Sequence, residues 1–336
     1  MRISLERPQI IKDAENTFHL IKVKNKFLGL LLELVLAHVV FYVINIAYSM
    51  IASMFAGAIY GLMNAAEIQS AMADGALDIM DLNERIFAWE YFTPISLFFE
   101  LIMTALTLLI AKFYQRRKIS TVGFVKKNAV SHYLIGMLLG FVLFAAAVFF
   151  SVLCGASKMS YDPSTFKPML FAAYFIGWLF QGMAEEVICR GFILVSVARK
   201  HSLVTAILFN SLFFAGLHLG NNGIAPLALV NLTLFGIFAS LVFIKSGNIW
   251  LASAMHSIWN MVQGNFFGVL VSGNDAGTTL FTTAPVAGRE LINGGDFGLE
   301  GGLAVTLIYV IAIILVLVFP SIKKNIEKEE KEEAVI

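Results

Sequence analysis

Eight stretches of mostly apolar residues recur along this chain, near 27–50, 91–111, 131–154, 169–197, 203–220, 224–244, 248–270 and 302–321. Crossing a hydrocarbon layer about 30 Å thick takes roughly 20 such residues in a helix, and each stretch comes close to that length. The surrounding composition agrees: of 336 residues, 58% are hydrophobic and only 14% charged, far from the balance of a soluble domain. The sequence therefore predicts an all-α fold, a polytopic membrane helix bundle of about eight transmembrane helices. It forms one integral membrane domain over 27–321, preceded by a segment over 1–26 and followed by a charged tail over 322–336.

Lys and Arg are retained on the cytoplasmic side of a membrane. With the N-terminus inside, 19 of the 24 Lys and Arg fall in cytoplasmic segments, only Arg85, Lys158, Lys167 and Arg289 fall outside, and Arg190 is left within the membrane. Both termini are thus expected in the cytoplasm. The near-zero net charge of +1 hides this asymmetry and gives no reason to expect a nucleic-acid partner. No cleavage pattern follows the first apolar run, so no removable signal peptide is expected. Cys154 and Cys189 lie in apolar runs without metal-ligand or disulfide-framework spacing. Between the first two spans, the first part of 51–90 reads as an amphipathic or interfacial helix. The Gly-, Asn- and Thr-rich stretch 271–301 reads as an outer cap or mobile lid, with a disordered connector as the alternative.

Ionisable groups inside a bilayer are costly and usually mark function. Glu33, His38 and Glu100 stand on helices apart from the others and read as structural. Glu185, Glu186, Arg190, His218, His256 and Asn260 are different. Counting about 1.5 Å of rise per residue from the predicted cytoplasmic turns puts Glu185 roughly 20 Å up, His218 roughly 24 Å, His256 about 15 Å and Asn260 about 20 Å, so three helices present polar groups at comparable depth. Glu186 and Arg190 are four apart and share a helix face, so they can pair. That leaves Glu185, about 100° round the helix, free to face a cavity. His256 and Asn260 are also four apart. Trp250 and Trp259, close by, read as interfacial or packing aromatics.

A carboxylate in an apolar pocket becomes a better base for a proton of water, and an imidazole and an amide on a facing helix can donate to an oxyanion. Those are the parts of a hydrolase that activates water directly. No G-x-S-x-G serine, paired G-x-G-D aspartates or H-E-x-x-H zinc helix is present. Intramembrane Glu, His and Arg also build proton relays, so a proton-coupled transporter is an alternative, although the halves show no inverted symmetry.

The motifs "EEVICR" (Glu185, Glu186, Arg190), "FAGLH" (Phe214, His218) and "HSIWN" (His256, Asn260) resemble, in order, the E-E-x-x-x-R, F-x-x-x-H and H-x-x-x-N/D motifs of the CPBP (Abi) family of intramembrane proteases. That family includes the CAAX prenyl endopeptidases and bacteriocin-processing or immunity membrane proteins. The resemblance implies a family core at about 131–270 with a catalytic cavity inside the membrane. It implies Glu185 as general base, His218 as partner of the nucleophilic water, His256 and Asn260 as oxyanion stabilisers, and Glu186, Arg190 and Phe214 as supports. No cofactor is required in the favoured mechanism, but Glu185, His218 and His256 could instead bind zinc with a fourth position open. The implied substrate is a membrane-embedded, prenylated or otherwise lipidated peptide or protein, in a bacterial-type cell membrane. A non-catalytic scaffold or bacteriocin immunity protein is the remaining alternative.

Overall fold

A computed structural model describes residues 7–15, 25–161 and 163–319. A short helix, α1 (Gln9–Ala14), precedes a long one, α2 (Lys26–Met63). Asn25 caps α2, its side chain accepting from Phe27 N and Leu28 N at 3.0 and 3.1 Å. At 38 residues, α2 runs to roughly 57 Å, so the first part of 51–90 continues the helix of the first span and is not a separate interfacial helix. Two short helices follow, α3 (Ala65–Ala73) and α4 (Ile79–Phe87). Asp78 caps α4, and Arg85 ties it back to Glu67 on α3 at 2.5 Å. The amphipathic helix is α4, which exposes Ile79, Met80 and Phe87.

The second span is broken. Helices α5 (Phe92–Phe99) and α6 (Leu101–Leu109) meet at Glu100, and a π-helical segment, Ile110–Tyr114, continues them. Then come α7 (Ala129–Leu153), strand β1 (Ser157–Tyr161) and α8 (Pro168–Glu186). Pro168 occupies the first turn of α8, where its missing N–H leaves no bond unmade. A second π-helical segment, Val187–Leu194, leads from α8 into α9 (Val195–Ala198). Next are α10 (Leu203–Leu217), α11 (Pro226–Ser246) and α12 (Trp250–Met261), the last extended by a third π-helical segment, Val262–Phe266. Strand β2 (Phe281–Pro285), α13 (Glu290–Asn293) and α14 (Leu303–Val318) complete the described chain.

Among the described residues, four rods are long and apolar enough to cross a membrane: Val35–Met63, Phe92–Tyr114, Ala129–Leu153 and Pro226–Ser246; α10 and α14 are shorter apolar helices. In lipid the backbone must satisfy its own hydrogen bonds, which is why these runs are helical. The departure from an all-α fold is one antiparallel pair, β1 with β2, in which Ser157 faces Pro285 and Tyr161 faces Phe281. Residues 271–301 are therefore an ordered cap and not a disordered connector. Asn293 Nδ2 donates to Ala156 O and Val286 O at 2.7 and 3.0 Å, and Asn265 Nδ2 donates to Ala276 O and Thr278 O at 3.2 and 2.9 Å.

Small residues set the packing. Val130, Leu134 and Leu138 of α7 are exposed at helical spacing, while Gly136 and Gly140 on another face are buried. A Cβ at Gly136 would meet Leu251 O at 2.4 Å, and one at Gly140 would meet Met255 O at 2.3 Å, so α7 lies directly on the α12 backbone. From another side Gly182 of α8 does the same, where a Cβ would meet Ser257 Oγ at 2.4 Å. This is the close approach that small residues at four-residue spacing permit between membrane helices. It leaves α12 buried from Ala252 to Met261.

Arg117, in the stretch before α7, is 2% exposed and forms a clamp. Its Nη2 donates to Thr121 O at 2.7 Å and Gly191 O at 2.8 Å, and its Nε to Thr121 Oγ1 at 3.1 Å. Burial, with Arg199 nearby, lowers its guanidinium to about 9, which still leaves it cationic at neutral pH. The stretch before α7 is thereby fastened to the π-helical segment that follows Glu186.

Gly140→Leu is expected to destabilise the protein by about 3 kcal/mol, the upper range for overpacking, because backbone must move. Gly61→Leu, where a Cβ meets nothing within 4 Å, should leave the thermal unfolding midpoint in detergent unchanged.

Candidate active site

Glu186 is fully buried, at 0% exposed. Its Oε1 accepts from Arg190 Nη1 at 2.6 Å and lies 2.9 Å from His256 Nδ1. Arg190, also 0% exposed, is held between two aromatic rings, its guanidinium carbon 5.0 Å from the Phe214 centroid and 5.4 Å from that of Phe235. Ring faces attract a desolvated cation, which accounts for the aromatic residue four positions before His218. Glu186 Oε2 and Arg190 Nε have no hydrogen-bond partner among the described residues. A buried pair left partly unsatisfied is a poor source of stability. What it supplies is placement: because Glu186 accepts, His256 donates from Nδ1 and presents Nε2 elsewhere.

That second nitrogen lies 3.6 Å from Glu185 Oε2. The side chain of Glu185 is 19% exposed, into the cavity that it lines. Its Oε1 accepts from Gln181 Nε2 at 2.7 Å, and its Oε2 has no hydrogen-bond partner among the described residues. Gln181 Oε1 in turn accepts from Asn260 Nδ2 at 2.9 Å. Gln181 thus joins the carboxylate of α8 to the amide of α12. Sequence reasoning missed it, although a lone Gln one turn before Glu185 in an apolar run was a usable signal. His218 stands at the end of α10 with Nδ1 2.9 Å from Phe214 O, which makes Nδ1 the donor and leaves Nε2 without a backbone partner.

Glu185, His218, His256, Asn260 and Phe214 all line one cavity of about 140 Å³, with room for several water molecules. Glu186 and Arg190 lie behind its wall. The cap forms one wall of it: Glu300 accepts from Trp259 Nε1 at 3.1 Å and from Ser272 N and Oγ at 3.0 and 2.8 Å, and Asn221 Nδ2 donates to Ser272 O at 3.0 Å. Trp259, 1% exposed, is consequently a packing residue and not an interfacial one. Trp250 is half-buried and donates to Val125 O at 2.8 Å.

Glu100 departs from the structural role expected of it, because it lines the same cavity as Glu185. His38 does not line that cavity; its ring packs on Phe213 at 4.5 Å. The side chain of Glu33 lies outside the described residues. Among the described residues, no group of three or more His, Cys, Asp or Glu is arranged to hold a metal ion. Glu185, His218 and His256 thus share a cavity without forming a ligand set.

Arg190→Met should cost about 3–5 kcal/mol by leaving Glu186 buried without its counter-charge. Adding Glu186→Leu should recover most of that loss. Both are read as thermal unfolding midpoints in detergent.

The family model of type II CAAX prenyl endopeptidase Rce1-like proteins matches residues 165–262, a segment that contains Glu185, Glu186, Arg190, Phe214, His218, His256 and Asn260. Comparison with curated proteins and with solved structures returned no significant match. The match supports a CAAX-type intramembrane peptidase, and the four long apolar rods point to an integral membrane protein. Over residues 165–262 the chain is thus similar to the Rce1-like type II CAAX prenyl endopeptidases.

Proposed function

We propose that this protein is an endopeptidase of eight membrane spans with both termini cytoplasmic, and that it cleaves a prenylated or otherwise lipidated peptide or protein with water activated by Glu185. The observation that carries this reading is the division of labour between two adjacent carboxylates. Glu186 is neutralised by Arg190, while Glu185 lines the cavity and keeps one oxygen without a hydrogen-bond partner among the described residues.

In this mechanism Gln181 holds Glu185 Oε1, so Oε2 is the atom that takes a proton from water. His218 Nε2 positions that water from the end of α10. The hydroxide attacks the scissile carbonyl, and the oxygen that gains charge is met by donors from α12. Asn260 offers the N–H of its amide that Gln181 does not use. His256 offers Nε2–H in its imidazolium form, with Nδ1–H kept on Glu186. Donors fixed before the reaction cost no reorganisation when the charge develops. The cavity is large enough to accept a peptide carbonyl beside a water molecule.

Glu185→Gln keeps the hydrogen bond with Gln181 and removes the base, so turnover of a fluorogenic prenylated peptide should fall by about 10²–10⁴-fold with the fold retained. Turnover by the unsubstituted protein should persist in a strong zinc chelator. Loss with chelator and recovery on adding zinc would sink the metal-free mechanism.

A further inference from the structure

The proposed mechanism uses one of two carboxyls that share an inner wall of the cavity. Glu100 is the only charged residue between Phe92 and Ala111, at the break where α5 gives way to α6. Its N–H donates to Leu97 O at 3.2 Å, a tighter turn than the α-helix on either side. The helix is pressed toward the site where α5 crosses Gly177 of α8, at which a Cβ would meet Leu97 Cβ at 2.8 Å. Leu97 and Glu100 line the cavity together with Glu185, and the two carboxyls are within electrostatic reach of each other. No Lys or Arg lines this cavity. A carboxyl in the middle of an apolar span, with no counter-charge, is a costly group for purely structural use.

Peptide hydrolysis needs a proton at a second place. Glu185 removes one from water, but the departing nitrogen is too basic to leave as an anion and must be given one. We propose that Glu100 is the general acid of the cleavage, resting on the peptidase reading above. As the water oxygen bonds to the carbonyl carbon, Glu185 takes one water proton. The C–N bond then breaks, its electron pair stays on nitrogen, and that nitrogen takes the proton from the Glu100 carboxyl. The products are a carboxylic acid and an amine, with Glu185 protonated and Glu100 ionised. Return of the proton from Glu185 to Glu100 through the cavity resets the pair, and no external acid or base is consumed. Two carboxyls held in opposite protonation states by a shared site are a known route to paired acid and base roles.

The test compares two leaving groups on the full-length protein in detergent: a prenylated peptide, and a nitrophenyl ester of the same prenylated acyl portion, whose leaving group needs no proton. Glu100→Gln should lower peptide turnover by at least about 10²-fold and leave ester turnover essentially unchanged, whereas Glu185→Gln should lose both. Glu100→Asp, which retains a transferable proton, should recover part of the peptide activity. Equal loss of ester and peptide turnover in Glu100→Gln, or no loss of either, would overturn the general-acid role. Should Glu100→Gln fail to fold, Glu100→Leu is compared on the same two substrates with the same criteria. Absence of cleavage of both substrates by the unsubstituted protein would overturn the peptidase reading itself, and the assignment of Glu100 with it.

Discussion

Everything at this site hangs from the buried contact of Arg190 with Glu186. The arginine is tolerated in low dielectric because a carboxylate lies 2.6 Å away and two phenyl rings cover its faces. Once Glu186 is committed to it, the same oxygen orients His256 from 2.9 Å. The two adjacent glutamates on α8 are thereby driven to different fates. One becomes part of the scaffold, and the other is left as a reactive carboxylate on the neighbouring face. No difference in the residues themselves would produce this split; it follows from which of them the arginine can reach.

The second determinant is steric. Helix α12 carries His256 and Asn260, yet it has glycines of α7 and α8 against its backbone. A helix enclosed so closely cannot rotate to suit its partners, so its two polar side chains are fixed by the packing around them. The amide of Asn260 and the carboxylate of Glu185 are then linked by Gln181, a residue that touches both because Gly182 beside it lets α8 and α12 approach.

Much of this was legible in the sequence because helices encode facing by spacing. Glu186 with Arg190, and His256 with Asn260, are four residues apart, and rise per residue brought three helices to a similar depth. Spacing says nothing about contacts between distant helices, which is why Glu100 and Glu300 do not read as neighbours of the cluster from sequence alone. Hydropathy also treats an uninterrupted apolar run as one straight rod. It therefore hid the break at Glu100, the π-helical turns after Glu186, and the extension of α2 to Met63. The order within 271–301 was hidden for another reason, since it depends on β2 pairing with β1 more than a hundred residues earlier and on the amides of Asn265 and Asn293. Residues of that kind are as common in unstructured loops.

Helix α12 is also tied at both ends by indole groups. Trp250 donates to Val125 O in the stretch before α7, and Trp259 to Glu300 in the cap. The helix between them acts as a short strut held between that stretch and the cap, with His256 along its length. A shift of the cap or traction on the stretch before α7 is conveyed along one axis to the groups that would hold the oxyanion. The site is thus mechanically continuous with the cap on one side and with the stretch before α7 on the other.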